Sequence, residues 1–368
     1  MDGDGPARWH TGAEARGRRI TTTLLMSLAA VRDADPTGLA VPVLRLASLL
    51  DPDGHPHALW TRAPLLSFLA AHRVPPAEKG TARGTTQVTA DQVHAALRLL
   101  HRHALLVCDP RADPRAVRVH AATARAVRET VSDTDLPGLA VAAADALLEA
   151  WPEDDRLQAE LAEVLRANTA ALADRADDHL WRPDGHPVLY LAGTSLHDAG
   201  LTDAAVGYWQ NMTGSAERIL GADHPDTLVA RNNLGVSYRQ ACRADEAIGS
   251  LEQVVAARER LLGPDHPDTD TARANLVVAY DESGRTEDAI DLQERVVADR
   301  ERLLGPDHPD TIAARADLAD LYLDDANFPY ATKTLAQVVA ARERLLGADH
   351  PDTVAARADL VDIMLNLE

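Results

Sequence analysis

From Leu220 to the C-terminus, apolar and polar positions follow a helical rhythm that is broken and restarted at fixed intervals. The octet LGxDHPDT begins at Leu220, Leu262, Leu304 and Leu346, setting His224, His266, His308 and His350 at an unvarying 42-residue step. Between octets the pattern reads helix, break, helix, first from Asp226 to Ala241 and then from Asp245 to Leu262. Pro225 and its copies suit the first helical turn, and the Asp and Thr that follow are expected to cap open amides and oppose the helix dipole. Leu234, Tyr238, Ala247 and Leu251 fall where two antiparallel helices interlock, and small Ala lets them approach closely. Later units repeat this as Leu276, Tyr280 and Ala289, then Leu318, Tyr322, Ala331 and Leu335, with one departure at Gln293, where the apolar residue moves to Leu292.

The turn inside the second unit contains Gly284, the residue suited to a left-handed helix end. The third unit has no such glycine, and Asn327 with Pro329 is expected to do its work. The fourth unit holds only a first helix, DTVAARADLVDIMLNLE, with an apolar face. Either the chain self-associates through that helix or the array is cut short there. Upstream, residues 182–219 read as a shorter, degenerate unit with a break at Gly200, and Leu139–Trp151 and Arg156–Ala173 read as amphipathic helices separated by Pro152.

The first third carries no 42-residue period. Helices are expected at about 19–33, 37–50, 57–71 and 90–103, then a hairpin from ALLVCDP and AVRVH joined across Arg111 to Pro114, then the helix AATARAVRETV. Three helices and a hairpin are the parts of a winged helix. The expected architecture is mainly α: a disordered tail (1–18), a winged-helix-like domain (19–132), an irregular helical linker (133–181), a degenerate repeat (182–219) and the 42-residue repeats (220–368).

The spacing of Leu, small residue, Tyr, Ala and large apolar residue resembles the tetratricopeptide signature, and the octet resembles its kinesin-light-chain variety. TTTLLMSLAAV, VLRLASLLDPDGHP, VHAALRLLHRHALLV and VRVHAATARAVRE resemble the winged-helix segment that follows the nucleotide-binding domain of bacterial STAND (NB-ARC) regulators. That resemblance implies the sensor half of such a regulator, its ATPase either missing by truncation or supplied by a separate chain. It also implies a histidine after the wing that touches bound nucleotide, and His120 matches it, although Ala121 stands where an acidic neighbour is usual.

A formal charge of −20 disfavours phosphate backbones and anionic lipid as general partners. Only Lys79 and Lys333 are lysines among 37 basic residues, a composition typical of a GC-rich, actinobacterial-like genome. Neither lysine sits in a GxxxxGK[ST] loop, and there is no nucleophile elbow or paired His–Glu motif, so no catalytic residue, no cofactor and no enzyme activity is expected. Two cysteines, Cys108 and Cys242, are too few for a disulfide framework. With no signal-peptide pattern and no membrane-length apolar stretch, a cytoplasmic location is expected.

Interaction residues are the remaining candidates. First helices of stacked tetratricopeptide units line a groove for a protein or peptide ligand. By repeat position, Val229, Asn232, Val236, Arg239 and Gln240 face it in the first unit, Thr271, Ala274, Val278, Asp281 and Glu282 in the second, and Ala316, Asp320 and Asp324 in the third. The row runs from amide and cation to carboxylates, which suits a ligand with a basic segment toward the C-terminal end of the row. Asn233 and Asn275 are expected to hydrogen-bond between repeats. The octet histidines stand roughly 10 Å apart or more on the scale of helix spacing, too far to share a metal ion, so their expected role is in the turn and cap. The alternative function is a DNA-binding regulator. Arg98, Arg102, Arg111, Arg115, Arg118, Arg125 and Arg128 face only Asp109 and Asp113 in that stretch, a local basic patch around the expected wing.

Overall fold

The computed structural model describes residues 26–73 and 87–365; the tail expected to be disordered (1–18) and Lys79 lie outside them. The chain divides into two compact units between Leu201 and Thr202. The boundary separates the two helices read from the sequence as the degenerate repeat.

The first unit contains α1 (26–34), α2 (Ala40–Leu49), α3 (Ala63–His72), α4 (Ala90–Arg102), the hairpin β1 (Val107–Cys108) and β2 (Val117–Arg118), α5 (Ala121–Arg128), α6 (Leu136–Ala150), α7 (Ala159–Arg175) and α8 (Pro187–Asp198). The single helix expected over 57–71 is a 3-10 turn, His57–Thr61, followed by α3. Pro64 has no amide to continue the first segment, and Arg62 between them is extended. Helix α4 starts on a reciprocal cap, Thr89 accepting from the Gln92 amide and Gln92 from the Thr89 amide.

The strands are shorter than the two apolar runs suggest, because Ala104 turns left-handed (φ 55°) and a 3-10 turn occupies Pro110–Ala112. His55 adds an antiparallel bridge to Val117, with N···O distances of 3.0 and 3.1 Å. Its ring is fully buried beside Trp60, and burial pushes its pKa down to about 3, so it is neutral. Asn168 on α7 ties in the preceding loop, donating to the Gly54 carbonyl and accepting from the Asp51 amide. Helix α2 is central in this unit, packing on α4, α5 and α6.

The second unit is a run of helices: α9 (Thr202–Ile219), α10 (Pro225–Gln240), α11 (Ala244–Leu262), α12 (Pro267–Glu282), α13 (Thr286–Leu304), α14 (Pro309–Asp324), α15 (Phe328–Leu346) and α16 (Pro351–Leu365). Each of these packs chiefly on its neighbours in sequence. Ala247, Ala289 and Ala331 are fully buried at the crossings, as the pattern requires. Gln293 is also buried, and it fits because its amide donates to the Ala314 carbonyl at 2.9 Å.

The octet histidines take the role in the turn and cap expected of them. The histidine itself is the N-cap: Nδ1 of His224, His266 and His308 accepts the amide of Asp226, Asp268 and Asp310 at 3.1–3.2 Å, and His350 does the same for Asp352. In the first two octets the threonine hydroxyl turns backwards instead, Thr227 to the Gly221 carbonyl and Thr269 to that of Gly263, whereas the buried hydroxyls of Thr311 and Thr353 make no such bond. Gly263, Gly305 and Gly347 end the preceding helices at φ 89–95° with extended ψ, a region open essentially to glycine alone.

Inside the units, Gly284 is left-handed (φ 79°), as expected. In its neighbours the same place is held at positive φ by Cys242 (56°) and Ala326 (55°), so Ala326, and not Asn327 with Pro329, does the glycine's work. Because a left-handed Cβ carries a steric penalty, Ala326→Gly is expected to raise unfolding free energy by up to about 1 kcal/mol. Urea denaturation checks this, with Gly284→Ala expected to shift in the opposite direction.

Candidate partner-binding face

Each repeat spends most of its charges on holding the array together. Glu217, Glu259, Glu301 and Glu343 near the ends of second helices pair with Arg231, Arg273, Arg315 and Arg357 on the following first helices. Asp223, Asp265 and Asp307 of the octets pair with Arg260, Arg302 and Arg344 one repeat on. A third ladder runs from Gln210 to Tyr238, from Tyr280 to Glu252 and from Tyr322 to Glu294. The charged residues that remain open to a partner are therefore fewer than the sequence suggests.

The residues expected in the groove are half-buried or exposed on α10, α12 and α14, while their helix neighbours Thr227, Leu228, Ala230, Leu234 and Gly235 are buried. The row is cross-linked. The Asn275 amide donates to the Asn232 side-chain oxygen at 3.0 Å, and Arg239 pairs with Glu282 at 2.5 Å. Asn275 thus bonds between repeats as expected, but its partner is Asn232, a residue read as a ligand contact. Arg239 likewise arrives already neutralised. Val229, Val236, Thr271, Ala274 and Val278 give this face its less polar part. Ala316 is half-buried against a core cluster, and Gln240 is exposed at the end of α10.

Toward the end of the row the face becomes acidic. Burial raises the Asp281 carboxyl above its ordinary value, and the nearby Asp324 and Glu282 carboxylates add to the shift. Asp320 is raised by burial and by Asp317, Asp324 and Asp359. Burial also raises Asp317, against the pull of Arg300. Asp317 and Asp359 were missed from sequence, yet repeat alignment carries the signal, since both occupy the position of Asn275. In a carboxyl whose folded pKa is raised, the folded state keeps its proton longer than the unfolded state. Stability therefore falls as pH rises through and above the ordinary aspartate value of 3.8. Urea unfolding from pH 3.5 to 7, on the order of that window, is expected to show an Asp281→Asn, Asp317→Asn, Asp320→Asn variant gaining on the wild type as pH increases.

The first-unit candidates are dispersed. His120 caps α5, its Nδ1 accepting the Ala122 amide at 3.2 Å. Arg115 pairs with Glu163 at 2.9 Å, Arg125 with Glu129, and Arg128 donates to the Ser48 carbonyl at the end of α2. Arg98, Arg102, Arg111 and Arg118 are exposed. His57 stacks on His94 with ring centroids 4.3 Å apart, while the His101 ring accepts the Cys108 amide. Among the described residues no helix is long and apolar enough to cross a membrane.

Residues 187–260 and 232–301 match one family model described as tetratricopeptide repeat, and residues 311–352 match another of that description. Over these stretches the chain is built of tetratricopeptide repeats, the basis of a protein–protein interaction module. No curated protein matches the chain. Among solved structures, one from Podosopora anserina, described as a kinesin light chain with nearly identical TPR-like repeats, is 27% identical over 48% of this chain and 84% of its own, with a TM-score of 0.45. BtubC (BKLC) from P. vanneervenii is 18% identical, covering 59% of this chain and 85% of its own at a TM-score of 0.44. A STAND protein with a tetratricopeptide repeat sensor from Pyrococcus horikoshii is 12% identical, with 89% and 47% covered and a TM-score of 0.33.

Proposed function

We propose that this protein is a non-enzymatic sensor or adaptor arm that captures a protein segment along the first-helix face of its tetratricopeptide repeats. The observation that carries the reading is the contrast along that face. Asn232, Asn275, Arg239 and Glu282 satisfy one another, whereas Val236 and Val278 lead to carboxyls that crowd one another at Asp281, Asp320 and Asp324. Such a surface favours a ligand with apolar anchors followed by a basic segment. The test is capture from native-host lysate on the immobilised chain, compared with a Val278→Arg variant. A partner retained by wild type and lost by the variant supports the reading; equal retention contradicts it.

The finer assignment is to the sensor arm of a STAND-type regulator. It rests on the sequence resemblance of the first third, and on α2, α3 and α4 followed by a hairpin. The bridge from His55, between α2 and α3, to Val117 of the hairpin supports the winged-helix reading. His120 remains the residue proposed to sense nucleotide, and its Nε2 is the nitrogen left for that role because Nδ1 caps α5. The proposed domain limits are those of the sequence, with the winged helix ending near residue 132.

A second reading, DNA binding by the first unit, is favoured by the exposed Arg98, Arg102, Arg111 and Arg118. A salt-dependent gel shift lost in an Arg98→Ala, Arg118→Ala variant would establish it, and no shift at low salt rejects it.

A further inference from the structure

We propose that the second-helix side of the repeats carries another docking site, a cleft between α11, α12 and α13 that receives an arginine side chain of a protein partner. The cleft has a volume of about 410 Å³. Val255, Leu276 and Leu292 line it with buried apolar surface, and the exposed Ala256 leaves its rim open. Glu252, Glu259, Asp288 and Asp291 are its carboxylates. Three guanidinium groups answer them: Arg285 beside Asp288 at 2.7 Å and near Glu252, and Arg273 with Arg295 on Glu259. Arg273 is shared with Asp299, so the surroundings stay net negative.

The chain itself shows what such a position accepts. One 42-residue step later, Asp288 and Asp291 are replaced by Tyr330 and Lys333. The Tyr330 ring lies 5.4 Å from that of Tyr322, the counterpart of Tyr280. Thus the next repeat provides its own aromatic ring and its own cation where this one provides two carboxylates beside an open cleft. An arginine matches the vacancy best: its alkyl stem covers Val255, Leu276 and Leu292, and its planar fork meets two carboxylates three residues apart on α13. A lysine offers only a point charge for the same stem length. This site is independent of the first-helix face, so either assignment can fail alone.

The test uses the full chain and a fluorescein-labelled peptide with one arginine flanked by leucines, read by anisotropy, beside the same peptide carrying neutral citrulline. Wild type is expected to bind the arginine peptide at least about tenfold more tightly than the citrulline peptide, a difference of roughly 1.4 kcal/mol. Ala256→Leu fills the cleft without changing charge, and Asp288→Tyr with Asp291→Lys installs the pair the next repeat already tolerates. Both variants are expected to lose that preference while keeping the wild-type melting temperature. Equal binding of the two peptides by wild type, or an unchanged preference in Ala256→Leu, overturns the proposal.

Discussion

Replacing Arg273 by alanine is expected to lower the stability of the second unit by about 3 kcal/mol, the scale for breaking a buried ion pair. Only 3% of its side chain is exposed, and it meets Glu259 at 2.6 Å and Asp299 at 2.9 Å while also reaching the Pro264 carbonyl. Burial opposes the charge on Arg273, but these two carboxylates outweigh that and raise its pKa. Truncation would leave both acids without their main partner at the joint between repeats. The same position in the last repeat, Arg357, is 44% exposed and, among the described residues, pairs with Glu343 alone. Solvent screens that pair, so Arg357→Ala is expected to cost less than about 1 kcal/mol. Urea unfolding of the two variants decides the matter; equal losses would mean that the Arg–Glu ladder is an ornament of the surface in every repeat.

Val278→Arg is expected to weaken partner binding at least about 30-fold, as for loss of a 2 kcal/mol anchor with an added repulsion. Val278 is 41% exposed on α12, and a cation there would oppose the basic segment of the proposed ligand. The fold should not register the change, because the equivalent places one and two repeats on carry Asp320 and Asp362. Titration of the captured partner against both proteins, with melting curves as control, measures it. An affinity within twofold of wild type, as an order-of-magnitude bound, would remove Val278 from the interface.

The solenoid was legible because each helix restart is marked by residues whose chemistry allows little else: a glycine at positive φ, then His-Pro. The octet histidines take the turn-and-cap role expected from sequence, whereas the cap also expected of the threonine is replaced at Thr227 and Thr269 by a bond back to the Gly221 and Gly263 carbonyls. Position along the repeat identified which residues sit on the first-helix face. It could not show that Asn232 and Arg239 are consumed by Asn275 and Glu282, since those pairs join residues 43 apart. In the first unit periodicity ran the 3-10 turn His57–Thr61 and α3 together as one helix, and the His55–Val117 bridge joins single residues with no pattern to announce it. Arg128 looked like part of a basic patch because charge is visible in sequence, while the Ser48 carbonyl that holds it is not.

Amide hydrogen exchange of the chain, alone and with its captured partner, tests the central claim most directly. The account predicts new protection in α10, α12 and α14, strongest from Val278 to Asp324, with no matching change in α2 to α5. Protection confined to the first unit, or spread equally over every helix of the second, would contradict it.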